Sequence, residues 1–134
     1  MLLICTVPLS NLSIRGNEDN PRELDTVTIE CDVIANPLAK IIWFKTTSER
    51  WRALTSNSKT YITHQLTNTP SGLLSSSTVT IRNVKENDNA NYICEARNNQ
   101  SSSESVSFNF TVISMSTQLV SYTVHSNNYK YCIL

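Results

Sequence analysis

Asp88-Asn89-Ala90-Asn91-Tyr92-Ile93-Cys94 is the stretch whose reading decides the fold. From Ala90 onward it alternates: Tyr92 and Cys94 share one phase, and Asn91, Ile93 and Glu95 share the other. A period of two marks a strand with one buried face. Upstream, Thr26 to Val33 alternates in the same way. Val27, Ile29, Cys31 and Val33 face one side, and Thr28, Glu30 and Asp32 face the other. Cys31 and Cys94 therefore sit on the apolar faces of two strands, 63 positions apart. Between them, Lys40 to Lys45 reads as a strand with Ile41 and Trp43 pointing inward, announced by the turn signal Asn36-Pro37.

The rest of the chain follows the same rhythm. A short strand is expected around Trp51 to Leu54, another over Thr60 to Leu66, and a turn at Thr69-Pro70-Ser71-Gly72. Leu74 to Ile81 is a strand with Val79 and Ile81 on its apolar face, and Val84 to Asn89 a short helical turn. Ala90 to Asn98 carries Tyr92 and Cys94. Ser101-Ser102-Ser103 is placed near a hairpin turn, and Glu104 to Val112 closes the set with Val106, Phe108, Phe110 and Val112 on one face. Many short strands at this spacing predict an all-β chain folded as a sandwich. The expected core is Val27, Ile29, Cys31, Ile41, Trp43, Val79, Ile81, Tyr92 and Cys94.

Val79-Thr80-Ile81, Val84, Asp88, Ala90, Tyr92 and Cys94, with Trp43 behind Cys31, resemble the immunoglobulin superfamily pattern. Trp43-Phe44-Lys45 and the asparagines after Cys94 are similar to its intermediate set, and Ala90 stands where glycine is commoner. The resemblance covers about Val7 to Ile113. It implies a Greek-key, immunoglobulin-like β-sandwich of two antiparallel sheets. It also implies a Cys31–Cys94 disulfide, with Trp43 packed on it and the Tyr92 hydroxyl bonded to backbone near Asp88. Asp88 becomes a structural anchor paired with a basic side chain; Lys59 and Arg82 both qualify. The stretch from Trp51 to Ser77 leaves room for an extra edge strand, so a variable-type domain stays open beside the intermediate set.

An immunoglobulin domain takes about 100 residues, and this chain has 134. Residues 1–6 are expected to be an N-terminal extension, residues 7–113 the domain, and residues 114–134 an unassigned tail. Met1 to Leu9 resembles the apolar part of a secretion leader but lacks its basic start and cleavage site, so a truncated gene model or an internal fragment is expected. In the tail, Leu119 to Val124 and Tyr129 to Cys132 can be strands. The start of a further domain, non-coding read-through and a flexible tail all fit it. Cys5 and Cys132 have no evident role.

The formal net charge is zero, so no basic face for nucleic acid is expected. No apolar run approaches the roughly 20 residues of a membrane span. No catalytic motif is present: the histidines are His64 and His125, His64 falls in a strand with no carboxylate in an obvious supporting place, and no Gly-x-Ser-x-Gly elbow exists. Neither an enzyme nor a cofactor nor a metal is expected. Asn11-Leu12-Ser13, Asn99-Gln100-Ser101 and Asn109-Phe110-Thr111 are glycosylation sequons. Their number means little in a chain this rich in Asn, Ser and Thr, but each asparagine falls at a turn or on an outward phase.

The expected partner face is the outer side of the sheet carrying Trp43 and Cys94. Ile42 and Phe44 have the phase opposite to Trp43, and Ile93, Glu95 and Arg97 join them from the neighbouring strand. Asn109 has the outward phase next door, so a glycan there would leave partners the other end. The hairpin tip from Arg97 to Ser102 is a second candidate. The resemblance implies an extracellular or cell-surface protein-recognition module for adhesion or receptor–ligand contact, homophilic or heterophilic. The alternatives are an intracellular cytoskeletal or muscle scaffold module and a small secreted binder.

Overall fold

A computed structural model describes residues 6–114, 119–124 and 128–133. Eight strands form two four-stranded sheets. The first has the order β1 (Val7–Gly16), β2 (Val27–Asn36), β6 (Gly72–Ile81), β5 (Thr60–Thr69). The second has the order β4 (Trp51–Ala53), β3 (Lys40–Thr46), β7 (Ala90–Asn98), β8 (Ser101–Phe110). Every pairing within the sheets is antiparallel. A 3-10 turn, Glu86–Asp88, leads into β7. β9 (Leu119–Val124) and β10 (Asn128–Ile133) pair as a separate antiparallel hairpin, in which the backbone of Cys132 lies opposite Val120. Cys5 and His125 lie outside the described residues.

The period-two readings of β2, β3, β6 and β7 correspond to the buried layer. Val27, Ile29, Cys31 and Val33 are fully buried, as are Val79 and Cys94, and Ile41, Trp43, Ile81 and Tyr92 are nearly so. Burial of each such large side chain contributes about 1.5–3 kcal/mol. Cys31 and Cys94 are disulfide-bonded across the two sheets. The Trp43 indole N–H cannot stay unpaired in the core. It donates to Ser77 Oγ at 2.7 Å, and that hydroxyl donates to the Thr63 carbonyl at 3.0 Å.

The structure adds detail to the sequence reading at three places. β1 was not foreseen as a strand, because its alternation is broken by register shifts on both sides of Ser10 and by Asn11 at φ 53°. Ser101-Ser102-Ser103 lies inside β8; the turn is Asn99-Gln100, shaped by Asn98 Oδ1, which accepts from the amides of Gln100 and Ser101. Room between Trp51 and Ser77 is used by both sheets: three residues extend the sheet of Trp43, and β5 borders the other.

Past β1 the chain changes sheet. Thr111 and Ile113 donate backbone N–H bonds to the carbonyls of Asp19 and Pro21, and Glu23 donates to Ile113. The segment from Asp19 to Glu23 thus runs parallel to the end of the domain, bridging at Arg22 and Ile113.

Candidate functional site

The base of the sandwich is locked around Asp88. Its side chain is only 10 % exposed and accepts from Lys59 Nζ at 2.6 Å and from the Lys85 amide at 2.8 Å. Lys45 Nζ stands 3.7 Å from the other carboxylate oxygen and lies over the Tyr92 ring. Lys59 is thus the partner; the Arg82 side chain is exposed, while its amide bonds the Lys59 carbonyl. Asn57 Oδ1 accepts from the amides of Lys59 and Thr60 and so sets the turn that delivers the lysine. Tyr92 donates to the Asp88 carbonyl at 2.7 Å and stacks on Phe110. Burial raises its phenol pKa, with the Asp88 charge adding to the shift. Burial lowers the Lys45 pKa, against the pull of Asp88. This cluster braces the scaffold.

The outer face of the β4-β3-β7-β8 sheet is different in kind. Strand register lays its residues in rows, because cross-strand partners share a face. One row is Ala53, Phe44, Ile93 and Ser107; the next is Trp51, Thr46, Asn91 and Asn109. On the other side come Ile42 with Glu95, then Lys40 with Arg97. Ile42, Phe44, Ile93 and Glu95 are half-buried, and Arg97 is exposed and bonded to Glu95. Trp51 is 69 % exposed, and its ring lies 5.9 Å from that of Phe44, tilted by 55°. The face is therefore an apolar band, with a charged end formed by Lys40, Glu95 and Arg97. It offers contact area and orientation rather than reacting groups. Among the described residues, no group of His, Cys, Asp and Glu could hold a metal ion.

Sequence reading missed Trp51 on this face. Its phase was visible only through the β3–β4 hairpin, closed by the Thr47 amide on the Arg50 carbonyl, which sets Trp51 opposite Thr46. The opposite outer face is mostly Thr and Ser, crossed by Arg15 bonded to Glu30 and Asp32. At the hairpin tip, Asn98 Nδ2 donates to the Pro37 carbonyl, tying the two loops at that end. Asn11, Asn99 and Asn109 are all exposed, in β1, in the hairpin turn and on β8. No helix among the described residues is long and apolar enough to cross a membrane.

A family model described as immunoglobulin domain matches residues 12–98. No curated protein matches the sequence. Similar solved structures include Rst D1-D2, with a TM-score of 0.62 at 24 % identity over 81 % of this chain and 51 % of that one. The mouse nectin-like molecule 4 ectodomain, Ig1–Ig3, gives 0.56 at 22 % identity over 78 % of this chain and 34 % of that one. The Ig1-2 module of the Drosophila receptor protein tyrosine phosphatase DLAR gives 0.58 at 18 % identity over 87 % and 57 %. The chain spans from about a third to just over half of these structures. At such identities the likeness is one of fold.

Proposed function

The chain belongs to the immunoglobulin domain family, and from that premise we propose that it is an extracellular protein-recognition module. It engages another protein through the outer face of β4-β3-β7-β8, in adhesion or receptor–ligand contact. The observation that carries this reading is Trp51, 69 % exposed on a regular strand and lying against Phe44 in an apolar band. An exposed aromatic held by its neighbour adds contact area at small entropic cost, and contiguous apolar surface of this kind marks interaction sites. The Lys40, Glu95 and Arg97 end would fix the orientation of the partner. Binding rather than catalysis fits a face without a nucleophile–base pair.

The Cys31–Cys94 bond supports an oxidising compartment, and two of the similar structures are by name an ectodomain and a receptor module. The domain proper is taken as residues 7–113, since Ile113 still bonds to Pro21. The parallel run of Asp19 to Glu23 beside the end of the domain, with a short β4, favours the intermediate set. Asn11, Asn99 and Asn109 are accessible for glycosylation, and Asn109 shares the partner face.

The test presents the full chain, as labelled tetramers, to an array of cell-surface ectodomains that includes the chain itself. A partner should lose binding on Trp51→Ser and Phe44→Lys and keep it on Thr78→Lys, which lies on the opposite outer face. Binding that survives both face variants would overturn the assignment. Free thiols at both Cys31 and Cys94 in natively sourced protein would overturn the extracellular placement in favour of the scaffold alternative.

A further inference from the structure

The two sheets have four edges, and three carry devices that discourage pairing with another chain. β1 has Pro8, Arg15 and two register shifts. β4 is three residues long. β8 carries Glu104 and the Asn109 sequon, and its pairing shifts register near the hairpin. β5 has none of these. It runs for ten residues in unbroken register with β6, and contains no Asp, Glu, Lys, Arg or Pro.

Half of the β5 edge is satisfied from within. The Ile62 amide points away from β6 and donates to Ser56 Oγ, and the Thr60 amide and carbonyl bond to Asn57. Outward and inward backbone groups alternate along an antiparallel strand. The N–H and C=O groups of His64, Leu66 and Asn68 therefore also point outward. Among the described residues, no strand pairs with them. Their side chains have the inward phase, yet Leu66 is 53 % exposed. The cause is across the sandwich: β4 pairs only with Phe44–Thr46, so among the described residues the start of β3 has no strand outside it. A cleft of about 430 Å³ opens there, lined by Leu38, Ile41, His64 and Leu66 among others.

We propose that this edge pairs with β5 of a second copy of the chain, antiparallel and about a two-fold axis at Leu66. The free stretch is short, uncharged and symmetric about Leu66, so a copy of itself satisfies it. Leu66 faces Leu66 of the second copy, and His64 faces Asn68 of the second copy. Each outward N–H then meets an outward C=O, making about six ladder bonds. The two leucines cover the mouths of both clefts, and no like charges meet. The contact is isologous and closes at two copies, joining the two β5-edged sheets into one. It lies on the other sheet from the partner face and goes beyond the recognition reading.

Sedimentation equilibrium on the full chain with Cys5→Ser and Cys132→Ser tests it. The dimer fraction should rise with concentration up to about 200 µM. Leu66→Lys should lower the association constant by about tenfold or more, while Phe44→Lys leaves it unchanged. Residue 66 is exposed, so the substitution spares the fold, which circular dichroism checks. Leu66→Cys should oxidise to a covalent dimer, because directly opposed ladder residues stand about 5.5 Å apart. Ser103→Cys on β8 should not. A chain that stays monomeric throughout overturns the proposal. So does a dimer that Phe44→Lys abolishes and Leu66→Lys spares, an outcome that would leave the recognition face standing.

Discussion

Replacing Asp88 should unfasten the base of the sandwich, and the size of the effect follows from its contacts. Asp88→Ala removes a carboxylate that accepts from the Lys85 amide at 2.8 Å and from Lys59 at 2.6 Å. A hydrogen bond to a charged group contributes about 1.5–3 kcal/mol, and this one caps the 3-10 turn from which Tyr92 hangs. The Lys59 pair adds little, about 0–1 kcal/mol, because the lysine is 36 % exposed. Lys45, whose side chain is 23 % exposed, loses its countercharge and must turn outward. Together these give a loss of about 3 kcal/mol. With a urea slope of about 1–3 kcal/mol per molar, the midpoint should fall by about 1–3 M. Asp88→Asn should cost roughly half as much, about 1–2 kcal/mol, since its amide oxygen still accepts the Lys85 N–H. Lys59→Ala should cost under about 1 kcal/mol, and Arg82→Ala close to nothing. Equilibrium urea unfolding with the disulfide intact reads all four. If Asp88→Ala costs no more than Lys59→Ala, the carboxylate is only an ion-pair partner and the capping argument fails. If Arg82→Ala costs more than Lys59→Ala, the assignment of the basic partner is wrong.

Other outcomes are open to measurement. The Tyr92 phenol is raised above its ordinary 10.0 by burial. The unfolded chain therefore ionises first, and stability should fall as pH rises past about 10, by up to about 1.4 kcal/mol per pH unit. Tyr92→Phe should remove that fall in urea titrations from pH 8 to 11. Lys45 acts in the opposite sense, because its lowered pKa penalises the folded state until the ammonium is neutralised. Reducing Cys31–Cys94, which closes a separation of 63 residues, should cost about 4 kcal/mol. Unfolding with and without reductant checks it. A Cβ on Gly16 would collide with the Phe108 ring, so Gly16→Ala should lower stability by about 1–3 kcal/mol. Phe108→Ala in the same chain should recover part of that loss, read as a melting temperature.

The central strands could be read from sequence because the core enforces their period. One buried face on β2, β3, β6 and β7 sets a small or apolar residue at most of the inward positions, broken by Ser75 and Ser77 on β6 and by Lys45 on β3. Where one phase faces a neighbour rather than the core, the signal fades. β1 bends at Asn11 and lost its period there. The start of β8 presents serines on both faces, so its first residues looked like a turn. Lys45 follows the inward phase of Trp43 although it is charged, and only the presence of Asp88 explains it. The choice between Lys59 and Arg82 depended on an Asn57 turn, whose hydrogen bonds no periodicity reports. The partner face was legible as a phase on β3 and β7, but Trp51 entered it only through the register of a hairpin.

That register also decides how the face could be used. Trp51, Thr46, Asn91 and Asn109 occupy one row across four strands, at a spacing of about 4.8 Å, so Asn109 stands roughly 14 Å from Trp51. A glycan on Asn109 would rise from the row of the most exposed aromatic and screen the β8 side of the band. A partner reaching Trp51 and Phe44 would then have to come over the β4 edge, or from the end where Lys40, Glu95 and Arg97 lie. The first route is open because β4 is too short to carry a further strand. The second is the charged part of the face among the described residues, so complementary charge would steer approach along it. The β5 edge belongs to the other sheet and has no sequon along its length. Glycosylation would therefore leave self-pairing untouched while narrowing recognition, and two paired copies would present their two partner faces independently.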